Sequence, residues 1–140
     1  MRTINEIIIH HSATKDSGTV SWGAIRRYHT DVHHWNGIGY HFGIELVADV
    51  VASQYEILVG RSLALAGAHA TGHNAHSIGI CCVGDFDAVK PPKEQLEKLE
   101  WLIGELKAFF PSITKVSFHR DYANKTCPGK LFTKKLIEGG

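Results

Sequence analysis

Two hydrophobic periods run along this chain. Glu6 to His10 is a β-branched run, which predicts a buried strand ending at two adjacent histidines. From Ser21 to His34 the positions Trp22, Ile25, His29 and Val32 follow helical spacing, with Ser21 placed to cap the start. Gly37 and Gly39 break that pattern and lead into a second strand from about Tyr40, and Tyr55 to Val59 reads as a third. Gly67 to His76, rich in Gly, Ala, His and Asn, predicts a loop, and the apolar run Ser77 to Val83 another buried strand. Pro91 and Pro92 open the clearest helix. Its stripe is Leu96, Leu99, Leu102, Ile103, Leu106, Phe109 and Phe110, and Pro111 stops it. Ile113 to Phe118 predicts a last strand, His119 to Gly129 a loop, and Leu131 to Glu138 a short terminal helix. Strands alternating with helices predict an α/β fold, a sheet covered by helices. Neither a repeat nor a linker interrupts residues 1–140, so one domain is expected.

Composition narrows the function. The 140 residues give room for one core, and 44% apolar with 21% charged residues is ordinary for a soluble globular domain. A formal net charge of +1 offers no broad footprint for nucleic acid or anionic membrane. No apolar run approaches the roughly 20 residues of a membrane helix. Ile7-Ile8-Ile9 is too short for a secretory signal, so synthesis in the cytoplasm is expected, with any export by another route. Three cysteines, two of them adjacent, argue against a disulfide framework. Ten histidines are an excess that asks for a chemical explanation.

His10, His119 and Cys127 lie at strand ends or in loops beside strands. Zinc accepts imidazole and thiolate, and catalytic zinc keeps three protein ligands and one open position. A copper site suits two His and one Cys by ligand type but wants a weak axial Met, and the only Met is Met1. A non-haem iron triad wants a carboxylate where the thiolate stands. Each residue also has a plainer reading. His10 or His11 fits a satisfied strand-end histidine, His119 a surface partner of Asp121, and Cys127 a small buried residue. Cys81 and Cys82 fit that last description best, inside an apolar strand.

The segment Ile9-His10-His11-Ser12-Ala13-Thr14 resembles the opening zinc motif of the type 2 N-acetylmuramoyl-L-alanine amidases, a family that includes phage lysozymes of the amidase kind and the peptidoglycan recognition proteins. Gly39-Tyr40-His41-Phe42 resembles its second motif. Ala68-His69-Ala70 with Asn74 and Ser77-Ile78-Gly79-Ile80 resembles its third. His119-Arg120-Asp121 with Lys125-Thr126-Cys127-Pro128-Gly129 resembles its fourth. The four stand in the family's order and span nearly the whole chain. The resemblance implies a central mixed β-sheet flanked by helices. It implies a Zn2+ cofactor held by His10, His119 and Cys127, with Tyr40 and Lys125 catalytic. It implies hydrolysis of the amide between N-acetylmuramic acid and L-alanine, hydroxide activated by zinc attacking the lactyl carbonyl. His69 and Asn74 are expected to line the substrate groove, and Asp121 to orient a ligand histidine. Between His10 and His11 strand alternation lets only one reach the metal, and His10 aligns with the motif.

The segment from Ile44 to Leu58 departs from the family, being longer and apolar with Val47, Val50 and Val51 and no Gly. Two other readings stand beside the amidase: a peptidoglycan recognition module that binds without cutting, and a cysteine hydrolase with Cys127 as nucleophile and His119 or His69 as base. The expected partner is peptidoglycan or a muropeptide, with no nucleic acid and no membrane, and the chain a monomer. The setting is that of a phage or prophage endolysin acting on the cell wall after release, of a cytoplasmic recycling enzyme, or of an exported effector.

Overall fold

The structure, a computed structural model, describes residues 2–13, 22–34, 37–49 and 53–137. Strand β1 (Glu6–His11) is buried along its whole length, as is β4 (Ser77–Cys82). Strands β2 (Phe42–Asp49) and β3 (Ser53–Val59) form an antiparallel hairpin with a bulge between Leu46 and Ala48. Strand β5 (Lys115–Phe118) closes the sheet, whose order is β3-β2-β4-β1-β5. The pairs β1·β4, β1·β5 and β2·β4 are parallel, so the sheet is mixed, as expected. The segment that departs from the family is the β2–β3 hairpin. Val50 and Val51 lie outside the described residues.

Helix α1 (Trp22–Arg27) and helix α2 (Lys93–Phe109) cover opposite faces. Trp22 and Ile25 pack with Ile38, Cys81 and Val83 on one face. The indole of Trp22 lies where a side chain at position 43 would project: a Cβ on Gly43 would come within 2.4 Å of it. On the other face Leu99, Leu102, Ile103 and Leu106 of α2 pack with Ile7, Ile9, Ile78 and Ile80. Gln95 is fully buried there, and its amide donates to the carbonyls of Ile44 and Val83, tying α2 to the ends of β2 and β4.

Three helix expectations change. After Arg27 the helix widens into a π-turn over Tyr28–Val32, where the His33 N–H reaches back to Tyr28 O. Thr30 bonds the carbonyls of Arg26 and Arg27 through its hydroxyl, competing with the regular ladder. Val32 is exposed as a result. The proposed cap Ser21 lies outside the described residues. Phe109 is 77% exposed: it sits in the last position of α2, past the edge of the sheet-facing stripe. The terminal helix is reduced to the 3-10 turn Lys134–Leu136, because Phe132 alone is fully buried there and too little apolar surface remains to offset helix nucleation. Glu138 lies outside the described residues.

Two buried histidines are held neutral. His29 Nδ1 accepts the Gly39 N–H and His41 Nδ1 accepts the Gly79 N–H. Burial lowers both to about 4, helped at His29 by His33 and Arg61. At His41 the bond to Leu65 O opposes burial while Arg2 and Arg61 reinforce it. Each therefore binds its proton less readily in the folded chain than the ordinary value of about 6.5 allows. The unfolded chain takes up more protons between those values, so stability is complete above about pH 6.5 and falls as the pH drops towards 4. Urea denaturation across that window is expected to lose up to about 1.4 kcal/mol per pH unit for each group. A free energy that stays flat with pH would show that neither histidine is held neutral.

Candidate active site

The parallel strands deliver the site at their C-terminal ends. Ile9 of β1 is registered on Phe118 of β5, so His10 and the residue that follows Phe118, His119, stand side by side. Their rings are 4.6 Å apart. Cys127 comes from the loop after the 3-10 turn His119–Asp121. One ligand atom each from His10, His119 and Cys127 lie within 4.8 Å of one another. Cys127 Sγ is 3.7 Å from His10 Nδ1 and accepts the His11 N–H at 3.4 Å.

Two charged side chains that the sequence reading gave no role hold the cysteine loop. The Arg120 N–H donates to Cys127 O, while its guanidinium donates to Gly129 O and Phe132 O, both at 2.7 Å. Asp87, from the turn after β4, accepts the Lys130 N–H and the Thr126 hydroxyl. Arg120 stands inside a quoted motif, so its position was a signal. Asp87 carried none.

Strand alternation separates the two adjacent histidines. His11 turns to the α2 face, stacks on Phe86 and accepts the Phe86 N–H at Nδ1. His10 turns to the α1 face, 5.1 Å from the Tyr40 ring. A groove of ≈ 290 Å3 opens over the cluster, with Tyr40, Asp87, His119, Lys125, Thr126 and Cys127 on its walls. A larger groove of ≈ 840 Å3 runs between the β2–β3 hairpin and α2. No cluster of metal-ligand side chains lies in it among the described residues.

His69 and Asn74 do not line the groove over the cluster. His69 is buried, and its Nδ1 lies 2.9 Å from His10 Nε2. Its Nε2 is 3.3 Å from Ser77 Oγ, which donates to His73 O at 2.7 Å. One assignment of protons satisfies the chain. His10 Nε2–H donates to His69, His69 Nε2–H donates to Ser77, and His10 Nδ1 keeps its lone pair towards Cys127. Gly79 makes room for this, since a Cβ there would meet the His69 ring at 2.6 Å. Asn74 folds its own loop, its Oδ1 accepting the N–H groups of His69 and Ala70. Asp121 does not orient a ligand histidine either. Its carboxylate accepts the Phe118 N–H and pairs with Lys134 at 2.7 Å, and the residue bonded to His10 is His69.

Burial, then the neighbouring charges of His69, His119, His11 and Lys125, pushes His10 well below the ordinary imidazole value. Burial and Lys125 lower His119 as well. Both rings are thus neutral donors at neutral pH, the form a metal requires. Burial raises Cys127 to about 11 against the lowering pull of the His11 N–H and Lys125. Tyr40 is raised well above its usual value by burial and by Cys81 and Cys127, so its phenol stays protonated.

A mixed sheet with a His-His-Cys cluster at the ends of its parallel strands defines a class of α/β domain whose side chains could hold a metal ion beside an open groove. The N-acetylmuramoyl-L-alanine amidase family model matches residues 1–130, and the chain belongs to that family. It is 35% identical over 132 residues to the endolysin of Enterobacteria phage T3, covering 90% of this chain and 81% of that one. The fold is similar to that of the N-acetylmuramoyl-L-alanine amidase LysC from Clostridium intestinale, with a TM-score of 0.82, 28% identity, and 98% and 84% of the two chains covered. It is similar also to a mutant of Drosophila peptidoglycan recognition protein LB in complex with tracheal cytotoxin, at TM-score 0.79 and 28% identity over 99% of this chain and 83% of that one. The chain is accordingly an enzyme, a peptidoglycan amidase by class. No helix among the described residues is long and apolar enough to cross a membrane.

Replacing His69 by Phe keeps the ring volume but removes the acceptor that fixes His10. Metal affinity of the cluster is expected to fall roughly 10–100-fold, the usual effect of losing such a support. Competition with a chromophoric chelator measures it, and an unchanged affinity would show that His10 is oriented by other means.

Proposed function

We propose that this chain hydrolyses the amide bond between the lactyl group of N-acetylmuramic acid and L-alanine in peptidoglycan, with Zn2+ held by His10, His119 and Cys127. The convergence of those three ligand atoms beneath a groove walled by Tyr40 and Lys125 is the observation that carries it. The donors fit zinc. Zn–N near 2.0–2.1 Å and Zn–S near 2.3 Å at a tetrahedral angle separate nitrogen and sulfur by about 3.6 Å, and His10 Nδ1 and Cys127 Sγ are 3.7 Å apart. When bound there, zinc supplies a Lewis acid and a water acidic enough to lose a proton near neutral pH.

The protein's own groups do the rest. The backbone N–H of His11 and the loop bonds of Arg120 and Asp87 hold Cys127 where its sulfur serves as ligand. Lys125 is exposed on the groove wall, and its ammonium stabilises the negative oxygen that develops as the lactyl carbonyl becomes tetrahedral. Tyr40, kept protonated, donates a hydrogen bond to the carbonyl or the attacking water; it is the wrong protonation state for a base. The groove is where a muropeptide lies, and the neighbour that carries tracheal cytotoxin supports that placement. The resemblance to phage endolysins supports action on the cell wall.

The cysteine-hydrolase reading is less well supported. A nucleophilic cysteine needs a depressed pKa, whereas Cys127 is raised to about 11, and His69, one proposed base, is committed to His10. The recognition-module reading predicts binding without release of new amino groups.

Two measurements test the proposal. Removal of metal with a chelator is expected to abolish cell-wall clearing, and zinc to restore it, with L-alanine appearing as the new N-terminus. Clearing that survives metal removal would sink the zinc chemistry. Lys125→Met is expected to lower kcat about 10²–10³-fold, as for loss of one oxyanion donor, with zinc content unchanged. If activity persists in that variant, Lys125 is only a solvated surface lysine.

A further inference from the structure

A second cluster of ligand-type side chains lies at the opposite end of β1. Glu6, His73 and His76 bring one ligand atom each within 4.8 Å of one another. Glu6 is buried, and its carboxylate is oriented from one side. Its Oε2 accepts from the hydroxyls of Ser117 and Tyr122, with Lys115 Nζ at 3.9 Å. Its Oε1 is left to face His76 Nε2 at 3.2 Å. Burial alone would raise this carboxyl, but those bonds and Lys115 hold it below its usual value, so it is ionised.

The two histidines are equally constrained. His73 precedes and His76 ends the 3-10 turn Asn74–His76. At three residues per turn, side chains three apart lie over one another. Their rings accordingly meet edge to face at 5.4 Å. His73 is stacked on Tyr122 at 3.7 Å, so one tyrosine fixes His73 with its ring and Glu6 with its hydroxyl. His73 Nδ1 is shielded from solvent and has no hydrogen-bond partner. A buried imidazole nitrogen without a partner is rare unless an ion or water completes it. The cluster opens to solvent through a pocket of ≈ 290 Å3.

We propose that Glu6, His73 and His76 form a second metal site for a divalent transition ion of zinc's class, separate from the catalytic cluster. Two imidazoles and one carboxylate are a zinc donor set, whereas magnesium and calcium take oxygen ligands. Ligand nitrogen and oxygen on a tetrahedral zinc stand about 3.4 Å apart, close to the 3.2 Å between His76 Nε2 and Glu6 Oε1. Ser117 and Tyr122 supply the outer hydrogen bonds that aim a ligating carboxylate. Lys115 opposes the ion, but its side chain is 59% exposed and screened by water. An ion here links the start of β1 to the turn before β4, and through Tyr122 to the loop after β5.

The test counts metal on the whole chain. Purified protein is stripped with a chelator, reloaded with Zn2+ at micromolar free concentration, desalted and analysed for bound zinc, with Co2+ absorption as a second probe. His73→Phe keeps a ring on Tyr122 but removes the nitrogen, and His76→Gln removes the other imidazole. Each is expected to bind one ion per chain fewer than the unaltered protein, and His76→Gln to clear cell walls at the same rate. Cys127→Ser should lose a different ion, and combined with His73→Phe should lose both. If His73→Phe and His76→Gln bind as much zinc and cobalt as the unaltered chain, the site does not exist. That comparison reads the difference between proteins, so it stands whether or not the catalytic cluster holds zinc. Should His73→Phe disturb the fold by circular dichroism, His76→Gln decides the matter alone.

Discussion

Strand β1 is buried on both faces between two parallel neighbours, and that confinement positions the chemistry at each of its ends. Ile7, Ile9 and His11 face α2 while Glu6, Ile8 and His10 face the other way. A slip of one residue would exchange the faces, driving His10 and Glu6 into the apolar side, so the register is fixed by the cost of burying charge and polar groups unpaired. With the register fixed, His10 meets His119 at one end, and Glu6 meets Lys115 and the turn before β4 at the other. Four residues at the strand rise place the two ends about 13 Å apart on one face. The segment from His69 to His76 bridges that distance on the same side of the sheet, giving His69 to one end and His73 with His76 to the other.

Such a bridge requires polar groups in a buried place, and the line that runs from His10 through it is satisfied at each step. His10, His69, Ser77 and the carbonyl of His73 form a line of hydrogen bonds in which every donor has an acceptor. In a low dielectric these bonds are strong and an unmade one is costly, so the line behaves as a rigid unit. Space for it comes from glycine: Gly79 gives up its side-chain position to the ring of His69. That explains an otherwise puzzling glycine in a fully buried strand, where the lack of a side chain would ordinarily weaken packing.

The sequence disclosed the fold better than it disclosed the supporting contacts, and the reason is range. β1, β4 and α2 carry continuous apolar runs or a 3.6-residue stripe, signals contained within a few residues. The π-turn after Arg27 depends on Thr30 competing for carbonyls, which spacing does not reveal. The three residues that the fold brings together in one cluster were legible because imidazole and thiolate are scarce and chemically distinctive. His69 was visible as a histidine, but its task depends on Gly79 and Ser77 ten and eight residues on, and on a strand pairing that brings it behind His10. Asp87 and Arg120 act on backbone groups of a distant loop, and backbone groups leave no trace in a sequence.

Charge explains why the proposed ligands and Lys125 occur together. Burial above all, with a smaller push from the Lys125 ammonium, lowers the proton affinity of both imidazoles, so both stay neutral rather than cationic. The same ammonium would repel a divalent ion, and the neutral ligands do nothing to offset that. A thiolate would: with zinc bound as proposed, Cys127 would release its proton to solvent, and the ion and its sulfur together would carry a single positive charge. Lys125 would then add a second positive charge on the open side, where solvent limits the mutual repulsion. With the proposed ion bound, the groove would face a net cationic pair with a protonated phenol beside it. That combination favours a carbonyl oxygen as it becomes negative over a neutral amide in its ground state, which is the selectivity a hydrolytic site needs. A histidine in place of Cys127 would leave the ion's full charge beside Lys125, strengthening its pull on any anion and its repulsion of the lysine. On the proposed zinc chemistry, Cys127 and Lys125 therefore form one electrostatic unit carried on one short loop.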